Sequence, residues 1–422
     1  MFEQLLPTIC YFVGYVLILF YLYKNKYSII PIFIVSIWVI SSFFSVLFHN
    51  AMSFLYPRVT YIPYIFMHVC FILSIIPLCK NKGIEIEKTP QVNTDLYDKI
   101  IIAFIIVSIV PLYENLRHAI SSYTAIDTSI LAEVYEDKMY GTGVDVTWLS
   151  PIGKIGNSID GVFIQFLYFT PFFFLTRSNI NKYLLIGSFL PLINHVVFQF
   201  SVSGRTTPTM FVLNSIFLTI LFRKFIPHKR MTFFGICATI VASSVFFAMF
   251  ILTSARHEAT NKDVDEAIVV GYYVAKGHVD FCEDLWNIKK HTEGDNSFGL
   301  AKKILLLPTP KNPVDYWTKN KTGVAPNLFY TYIGDWFMDF GGIITLLLFI
   351  LVCVCSSIFF IHIRKRTTLV NIFFMFLYCE VLIMGWAYNV FKTTNSMTNL
   401  LFSIAMIYII NSRTKIKQIK NE

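Results

Sequence analysis

Charged residues are scarce in this sequence. Asp, Glu, Lys and Arg make up 14% of the 422 residues, whereas soluble domains carry about 25%. Apolar residues make up 55% and include 42 Phe, 23 Tyr and 6 Trp, more than one soluble core can bury. The composition therefore predicts an all-α, polytopic membrane protein. It excludes a soluble enzyme, a secreted disulfide scaffold and a nucleic-acid-binding protein.

Motifs for nucleotides and metals are missing too. The sequence has no P-loop, no GxGxxG, no HExxH and no paired Cys/His site, so we expect neither a cofactor nor a metal ion. The eight cysteines contain no CxxC pair, and most of them fall inside apolar runs. We interpret them as small packing residues.

Eleven apolar runs are candidates for spanning helices, since a helix needs about 20 apolar residues to cross a bilayer. The weakest are the fourth and the fifth, which are short. The predicted spans are Leu5–Tyr23, Ile29–Phe48, Tyr61–Leu78, Ile100–Tyr113, Ile159–Leu175, Tyr183–Phe200, Thr207–Phe222, Phe233–Leu252, Ile343–Ile363, Leu369–Trp386 and Ser396–Ile410.

Lys and Arg cluster in alternate short connections and in the carboxyl-terminal tail. Nineteen of these cations fall on one side of the membrane and three on the other, namely Arg58, Arg205 and Lys392. Because cytoplasmic loops carry the excess of cations, we expect the amino terminus outside and the carboxyl terminus in the cytoplasm. Two long loops then lie outside, residues 114–158 and 253–342, within a single membrane domain covering residues 1–422.

Both outer loops are expected to contain short interfacial helices. In the first, apolar residues from Ile120 to Met139 recur at helical spacing before Gly141. In the second, Phe298–Leu307 is apolar but too short to span, and it carries Lys302 and Lys303.

The segment Ser203-Gly204-Arg205-Thr206-Thr207-Pro208 opens the seventh span on its outer side. Thr207 suits the helix cap and Pro208 the first helical position. Free N–H groups at a helix start attract anions, and Arg205 can grip a phosphate with two hydrogen bonds. The segment therefore favours a phosphate site. The simpler alternative is an arginine that reaches the lipid headgroups above an ordinary cap.

Other ionisable groups lie near the outer ends of the predicted spans. Arg256 and His257 follow the eighth span and offer a cation and a titratable base, and Lys392 precedes the eleventh. His195 and Glu380 lie within the sixth and tenth spans, beyond the midplane, where ionisable groups are functional candidates. The alternative for the two intramembrane groups is a neutral side chain bonded to a neighbouring helix.

The stretch GDWFMDFGG leads into the ninth span. Asp339 suits a helix cap. Asp335 stands beside Trp336, and an acid next to an aromatic ring suits sugar recognition, since the ring covers apolar C–H faces while the acid binds hydroxyls.

These features resemble the Wzy-type O-antigen polymerases, the family that polymerises oligosaccharide repeat units. The resemblance consists of the SGR segment, the outer loop ending in PTPKNP and GDWFMDFGG, and about ten to twelve spans with one large outer loop after the eighth. Asp335 fills the acidic place of the family's glycine–acidic–aromatic stretch. The motifs cover roughly residues 200–345.

The resemblance implies a metal-independent glycosyltransferase on the outer face of the bacterial inner membrane. It would transfer a growing glycan from polyprenyl diphosphate to an incoming lipid-linked repeat unit, in O-antigen or capsule synthesis, with a chain-length regulator as a further partner. The candidate site residues for this reaction are Arg205, Thr206, Thr207, Arg256 and Lys392 for the diphosphate, Trp336 and Glu380 for the glycan, and Asp335, His257 or His195 as general base.

Two other classes stay open. A transporter, such as a flippase for the same lipid-linked units, should show broken helices and polar groups near the midplane. An acyl-transferring enzyme should show a His or His–Asp pair within the membrane. The outward-shifted polar groups and the single dominant outer loop favour the polymerase.

Overall fold

Every regular element that the structure describes is helical. The structure is a computed structural model, and it describes residues 2–53, 56–83, 86, 89, 90, 92–124, 146–202, 204, 206–236, 239, 243, 266–310, 316, 317, 330–365 and 367–421. The predicted all-helical class is confirmed for these residues.

Fourteen α-helices are numbered here in chain order within the described residues. They are α1 (Phe2–Lys24), α2 (Ile29–Ala51), α3 (Tyr61–Cys79), α4 (Thr94–Thr124), α5 (Pro151–Val162), α6 (Ile164–Leu175), α7 (Lys182–Gly187), α8 (Leu190–Ser201), α9 (Thr206–Phe222), α10 (Glu266–Glu283), α11 (Gly299–Ile304), α12 (Thr331–Lys365), α13 (Leu369–Met384) and α14 (Thr394–Asn421).

Within the described ranges, six helical stretches are long and apolar enough to cross a bilayer: α1 to α4, the stretch Lys182–Ser201, and α12. The pair α5 and α6, bent by 73°, would make a seventh. The chain is therefore a multi-pass membrane protein. Helices α9 and α13 are apolar but shorter. The predicted eighth span, Phe233–Leu252, lies largely outside the described residues, and the total of eleven spans stays a prediction.

Two helices extend into the predicted outer loops. Helix α12 begins at Thr331, ahead of the predicted start at Ile343, and α4 continues to Thr124. Asp335 and Asp339 interrupt the apolar run in the sequence, but the helix accommodates both because other segments supply their hydrogen-bond partners. Within the second predicted loop, the structure also has α10 and the short helix α11, which lies inside the predicted segment Phe298–Leu307. Residues 125–145 of the first loop lie outside the described part.

The chain divides into two compact units. Unit 1 comprises Met1–Glu87, Ala267–Arg366 and Leu377–Thr398, and unit 2 comprises Lys88–Glu266, Thr367–Phe376 and Asn399–Glu422. Two of the boundaries fall inside α13 and α14, and another follows the first residue of α10. The prediction of one domain over residues 1–422 stays a prediction.

The core of unit 1 is aromatic. Trp38, Tyr15 and Phe71 are fully buried and lie in ring contact with one another. The indole nitrogen of Trp38 donates to the carbonyl of Leu382 at 2.9 Å. This bond ties α2 to α13, so the helix that carries Glu380 is fixed within the same core.

The core of unit 2 is built around α6, whose residues are all buried. A helix that is apolar on every side can be stable only when it is surrounded. Tyr97 of α4 packs on Phe173 and shares a 2.9 Å hydrogen bond with Thr170. Just beyond α6, Arg177 forms a two-pronged ion pair with Asp98.

Candidate functional site

The candidate site in unit 1 centres on two buried carboxylates of α12. Asp335 is 0% exposed and Asp339 is 1% exposed. Residues four apart lie on one face of a helix, so both acids point the same way. Burying an unpaired charge costs several kcal/mol, and the surrounding segments supply the partners.

Asp335 accepts hydrogen bonds on both carboxylate oxygens. The backbone N–H of Asn389 donates to Oδ2 at 2.7 Å. The side-chain amide of Asn296 and the ammonium group of Lys392 both lie 3.2 Å from Oδ1. Asp335 therefore joins α12 to the segment before α11 and to the connection between α13 and α14.

Asp339 fixes the segment before α11. Its Oδ2 accepts from the backbone N–H of Ser297 at 2.8 Å, and its Oδ1 accepts from that of Asn296 at 3.0 Å and from the hydroxyl of Thr292. Asp339 was predicted to cap the ninth span. In the structure it binds the backbone of residues 296 and 297 instead, because the helix already begins at Thr331.

Helix α12 is broken at Gly341, which has φ 72° and ψ 179°. At the break, the carbonyls of Met338 and Asp339 accept hydrogen bonds from the backbone N–H groups of Thr292 and Glu293, at 2.9 and 3.0 Å. Only glycine adopts this φ readily. A Cβ atom here would also stand 2.7 Å from Nε2 of His291. The break therefore requires glycine at position 341, and residues 292 and 293 bind the backbone exposed there.

The cluster continues to α11 through Asp295. Its Oδ1 pairs with the ammonium group of Lys302, and its Oδ2 accepts from the indole N–H of Trp317 at 3.1 Å. Since Asn296 and Ser297 follow directly, the whole segment 291–302 is anchored to the first part of α12.

Two predicted site residues, Asp335 and Lys392, are in direct contact, and a third, Glu380, belongs to the same unit. Lys392 pairs with Asp335, and Glu380 is fully buried on α13. Burial raises the pKa of Tyr388, and the negative charges of Glu380 and Asp335 raise it further. The phenol of Tyr388 therefore lies within electrostatic reach of both acids.

Trp336, predicted to contact the glycan, is half-buried and packs within the protein. Its ring centroid lies 4.9 Å from that of Phe349 and 6.0 Å from that of Phe298. These contacts hold α11 and the two parts of α12 together.

Other predicted residues lie in unit 2 or outside the described part. His195 is on α8, and its Nδ1 is buried with no hydrogen-bond partner among the described residues. Thr206 is the first residue of α9, and Thr207 is the second. Pro208 is therefore the third helical residue rather than the first, which is tolerated because N–H groups of a first turn have no partner within the helix. Arg205, Arg256 and His257 lie outside the described residues.

Sequence reasoning missed the polar residues that surround the two acids. Asn296 and Ser297 belong to Gly294-Asp295-Asn296-Ser297, a run of turn-forming residues that signals a loop but not a partner for α12. Asn389 contributes its backbone N–H, which no residue type can reveal.

A second missed feature is His278 on α10. Ser41 donates to the carbonyl of Val274 at 2.9 Å, so its oxygen accepts from Nε2–H of His278 at 2.6 Å. Nδ1 then accepts from the hydroxyl of Tyr11 at 2.8 Å. Burial lowers the pKa of His278 to about 3. The neutral imidazole thus fastens α10 to α1 and α2.

Unit 2 contains a directed hydrogen-bond chain that ends on Asp160. The indole N–H of Trp148 can only donate, and it donates to Oδ1 of Asn115 at 3.0 Å. The amide of Asn115 donates to Oδ1 of Asn194 at 2.9 Å, and the amide of Asn194 donates to Oδ2 of Asp160 at 2.7 Å. Ser108 lies 2.8 Å from Oδ1. Asp160 is fully buried in α5, one turn before the bend into α6.

The described residues form an all-helical, multi-pass membrane protein. It contains two buried polar clusters, one around Asp335 and Asp339 and one around Asp160. Comparison with the models of protein families, with curated proteins and with solved structures finds no match to this chain. Among the described residues, no group of three or more His, Cys, Asp or Glu side chains could hold a metal ion.

Proposed function

We propose that the protein joins lipid-linked oligosaccharide repeat units on the outer face of a bacterial inner membrane, as an O-antigen or capsule polymerase. The observation that carries the proposal is the Asp335–Lys392 pair, set where α12, the segment 291–302 and the connection 385–393 meet. We expect these parts to lie outside, because the cations of the sequence cluster in the opposite connections and in the carboxyl-terminal tail.

The reaction is a displacement at a sugar carbon. A hydroxyl of the incoming repeat unit attacks the anomeric carbon of the growing glycan, and the bond from that carbon to the diphosphate breaks. The polyprenyl diphosphate leaves with the bonding electrons, and a base takes the hydroxyl proton. Cations beside the diphosphate stabilise the negative charge that develops in the transition state.

The geometry favours different roles for the two partners. Both oxygens of Asp335 already accept hydrogen bonds from Asn389, Asn296 and Lys392, which suits an acid that positions other groups. The Lys392 side chain is 14% exposed, whereas that of Asp335 is fully buried. We assign Lys392 to the diphosphate and Asp335 to the orientation of Lys392. The roles of Arg205 and Arg256 as diphosphate ligands, and of His257 and His195 as candidates for the base, stay predictions from the sequence alone.

Deletion of the gene in its host, with surface polysaccharide separated on a gel, tests the proposal. A polymerase is expected to leave a core that bears one repeat unit, because units still cross the membrane but are not joined. An unchanged ladder of long chains would exclude this function.

Point variants then test the site. Lys392→Gln should abolish long chains, and Lys392→Arg should restore part of them, since a cation is present again. Lys289→Gln removes an exposed lysine of the same unit and is the matched control. Full polymerisation by Lys392→Gln or by Arg205→Ala would remove that residue from the diphosphate site.

A transporter of the same lipid-linked units is the second candidate, and the Asp160 chain favours it. Broken helices with polar groups at the break are typical of transporter binding sites. Here the 73° bend between α5 and α6 comes one turn after a fully buried acid. If the gene deletion removes every repeat unit, including the single one, and Asp160→Asn does the same, the transporter replaces the polymerase.

A further inference from the structure

The turn that ends α11 exposes an unbroken run of aliphatic side chains. Ile304, Leu305, Leu306 and Leu307 are 65%, 68%, 92% and 49% exposed. They lie in the stretch between α10 and α12, outside the helices that are apolar enough to span a membrane. Four large apolar side chains in a row at a surface indicate a binding partner.

The backbone of this turn is a Schellman motif. The N–H of Leu307 donates to the carbonyl of Lys302 at 2.9 Å, and the N–H of Leu306 donates to that of Lys303 at 3.2 Å. Leu306 occupies the left-handed position with φ 56°, where glycine is the usual residue. A leucine at this position strains the backbone, and its side chain gains no packing in return. Strain kept at one exposed position points to a function of the side chain.

The charges beside the turn are those of a lipid-facing segment. Lys303 is exposed and directly precedes the aliphatic run, whereas Lys302 turns inward to pair with Asp295. Aliphatic side chains flanked by a lysine fit the boundary between acyl chains and anionic headgroups, because the lysine can reach the phosphates. A second protein would have to cover the lysine as well as the leucines.

We infer that residues 304–307 insert into one leaflet of the surrounding phospholipid bilayer and that Lys303 binds the lipid phosphates. The turn is tied to the site described above, since Asp295 holds Lys302 while Asn296 and Ser297 bind Asp335 and Asp339. The inserted turn therefore sets the depth of this cluster relative to the headgroups, whichever reaction the protein performs.

Photocrosslinking of the full chain tests the inference. Benzoylphenylalanine is placed at position 306 in protein reconstituted into vesicles of phosphatidylethanolamine and phosphatidylglycerol, and adducts are identified by mass spectrometry after illumination. Position 293 is the matched control, because Glu293 is also exposed and also has a positive φ. We expect a severalfold excess of lipid adducts at position 306.

Equal lipid labelling at the two positions, or adducts at position 306 to a second copy of this chain, would overturn the inference. The charge is tested by Lys303→Gln, which should lower labelling at position 306 when phosphatidylglycerol is present and leave it unchanged in phosphatidylcholine alone. Because Leu306 makes no buried contact, its replacement should leave the elution profile of the protein unchanged, and that profile verifies folding.

Discussion

At the scale of single residues, Asp335 depends on partners from distant parts of the chain. It is fully buried, and Lys392, which lies 57 residues away in sequence, is the cation bonded to its carboxylate. Removing one partner of a buried ion pair leaves an uncompensated charge, which costs more than the pair contributed.

Lys392→Met should therefore lower the free energy of unfolding by about 2 to 3 kcal/mol, less than for a fully enclosed pair because Asn389 and Asn296 keep their bonds. Thermal or denaturant unfolding in detergent measures this. In the double variant with Asp335→Asn, much of the loss should be recovered, since no charge is left buried. A single variant as stable as the wild type would show that Lys392 does not neutralise Asp335.

A second residue-scale prediction concerns pH. Asp280 on α10 is 2% exposed, and burial raises its pKa to about 7, against the opposing effect of Lys276. The folded state thus favours the neutral acid. Below pH 4 the acid is protonated in both states, so stability is lost as the pH rises from about 4 to about 7 and changes little above that.

Asp280→Asn should remove this slope. The variant should gain on the order of 3 to 4 kcal/mol relative to the wild type between pH 4 and pH 7. Unfolding midpoints of the variant and the wild type at several pH values measure this difference in stability. His278 titrates in the opposite sense, but it is present in both proteins, so its contribution cancels in the comparison. Parallel profiles for the two proteins would contradict the raised pKa.

Sequence alone singled out Asp335 and Lys392 but not their pairing. Residue type and position relative to an apolar run identify a candidate, whereas a contact across 57 residues depends on the packing of three segments. His278 was missed because its partners, Ser41 and Tyr11, are ordinary residues of apolar helices. Arg205, Arg256 and His257 stay predictions.

At the scale of elements, the break in α12 depends on a single glycine. The two parts of this helix meet at Gly341, where the φ of 72° and the imidazole of His291 both disfavour a side chain. The next residue, Gly342, provides a matched control, since a Cβ there would meet Phe337 at an ordinary 3.5 Å.

Gly341→Ala should destabilise the protein by about 1 to 3 kcal/mol, since alanine is strained at positive φ and His291 must move. Gly342→Ala should be neutral or slightly stabilising, because alanine has the higher helix propensity. Thermal unfolding of the two variants side by side measures the contrast. Equal changes in stability for the two variants would mean that the fold does not depend on the positive φ of Gly341.

Apolar periodicity predicted most element positions, as α1, α2 and α3 show. It failed at α12, because Asp335 and Asp339 made the first part of that helix look like a loop. It also could not reveal the 73° bend after Val162, since the predicted span Ile159–Leu175 runs across the bend without a break in the apolar pattern after Asp160. Helix breaks depend on local backbone geometry, to which hydropathy is insensitive.

At the scale of the whole molecule, the distribution of cations predicts the orientation. The carboxyl-terminal tail holds Arg413, Lys415, Lys417 and Lys420, and such clusters stay in the cytoplasm.

Alkaline phosphatase, which is active only outside the cytoplasm, should therefore be inactive when fused after Glu422 and active when fused after Pro310. Enzyme activity in intact cells, with a cytoplasmic reporter as the reciprocal control, measures this. The reverse pattern of activity would show that the orientation in the membrane is the opposite of the predicted one. The Asp335 cluster would then lie on the cytoplasmic side, where a polymerase of exported units could not act.

The position of Lys392 also has a consequence for synthesis. Asn296 is made before Asp335, but Asn389 and Lys392 follow it by 54 and 57 residues. At 5–20 residues per second, translation of that stretch takes on the order of 3 to 10 seconds. During this interval Asp335 has Asn296 as a hydrogen-bond partner but lacks Asn389 and Lys392. We therefore expect that a ribosome stalled between residues 335 and 389 leaves a chain that membrane proteases recognise and remove.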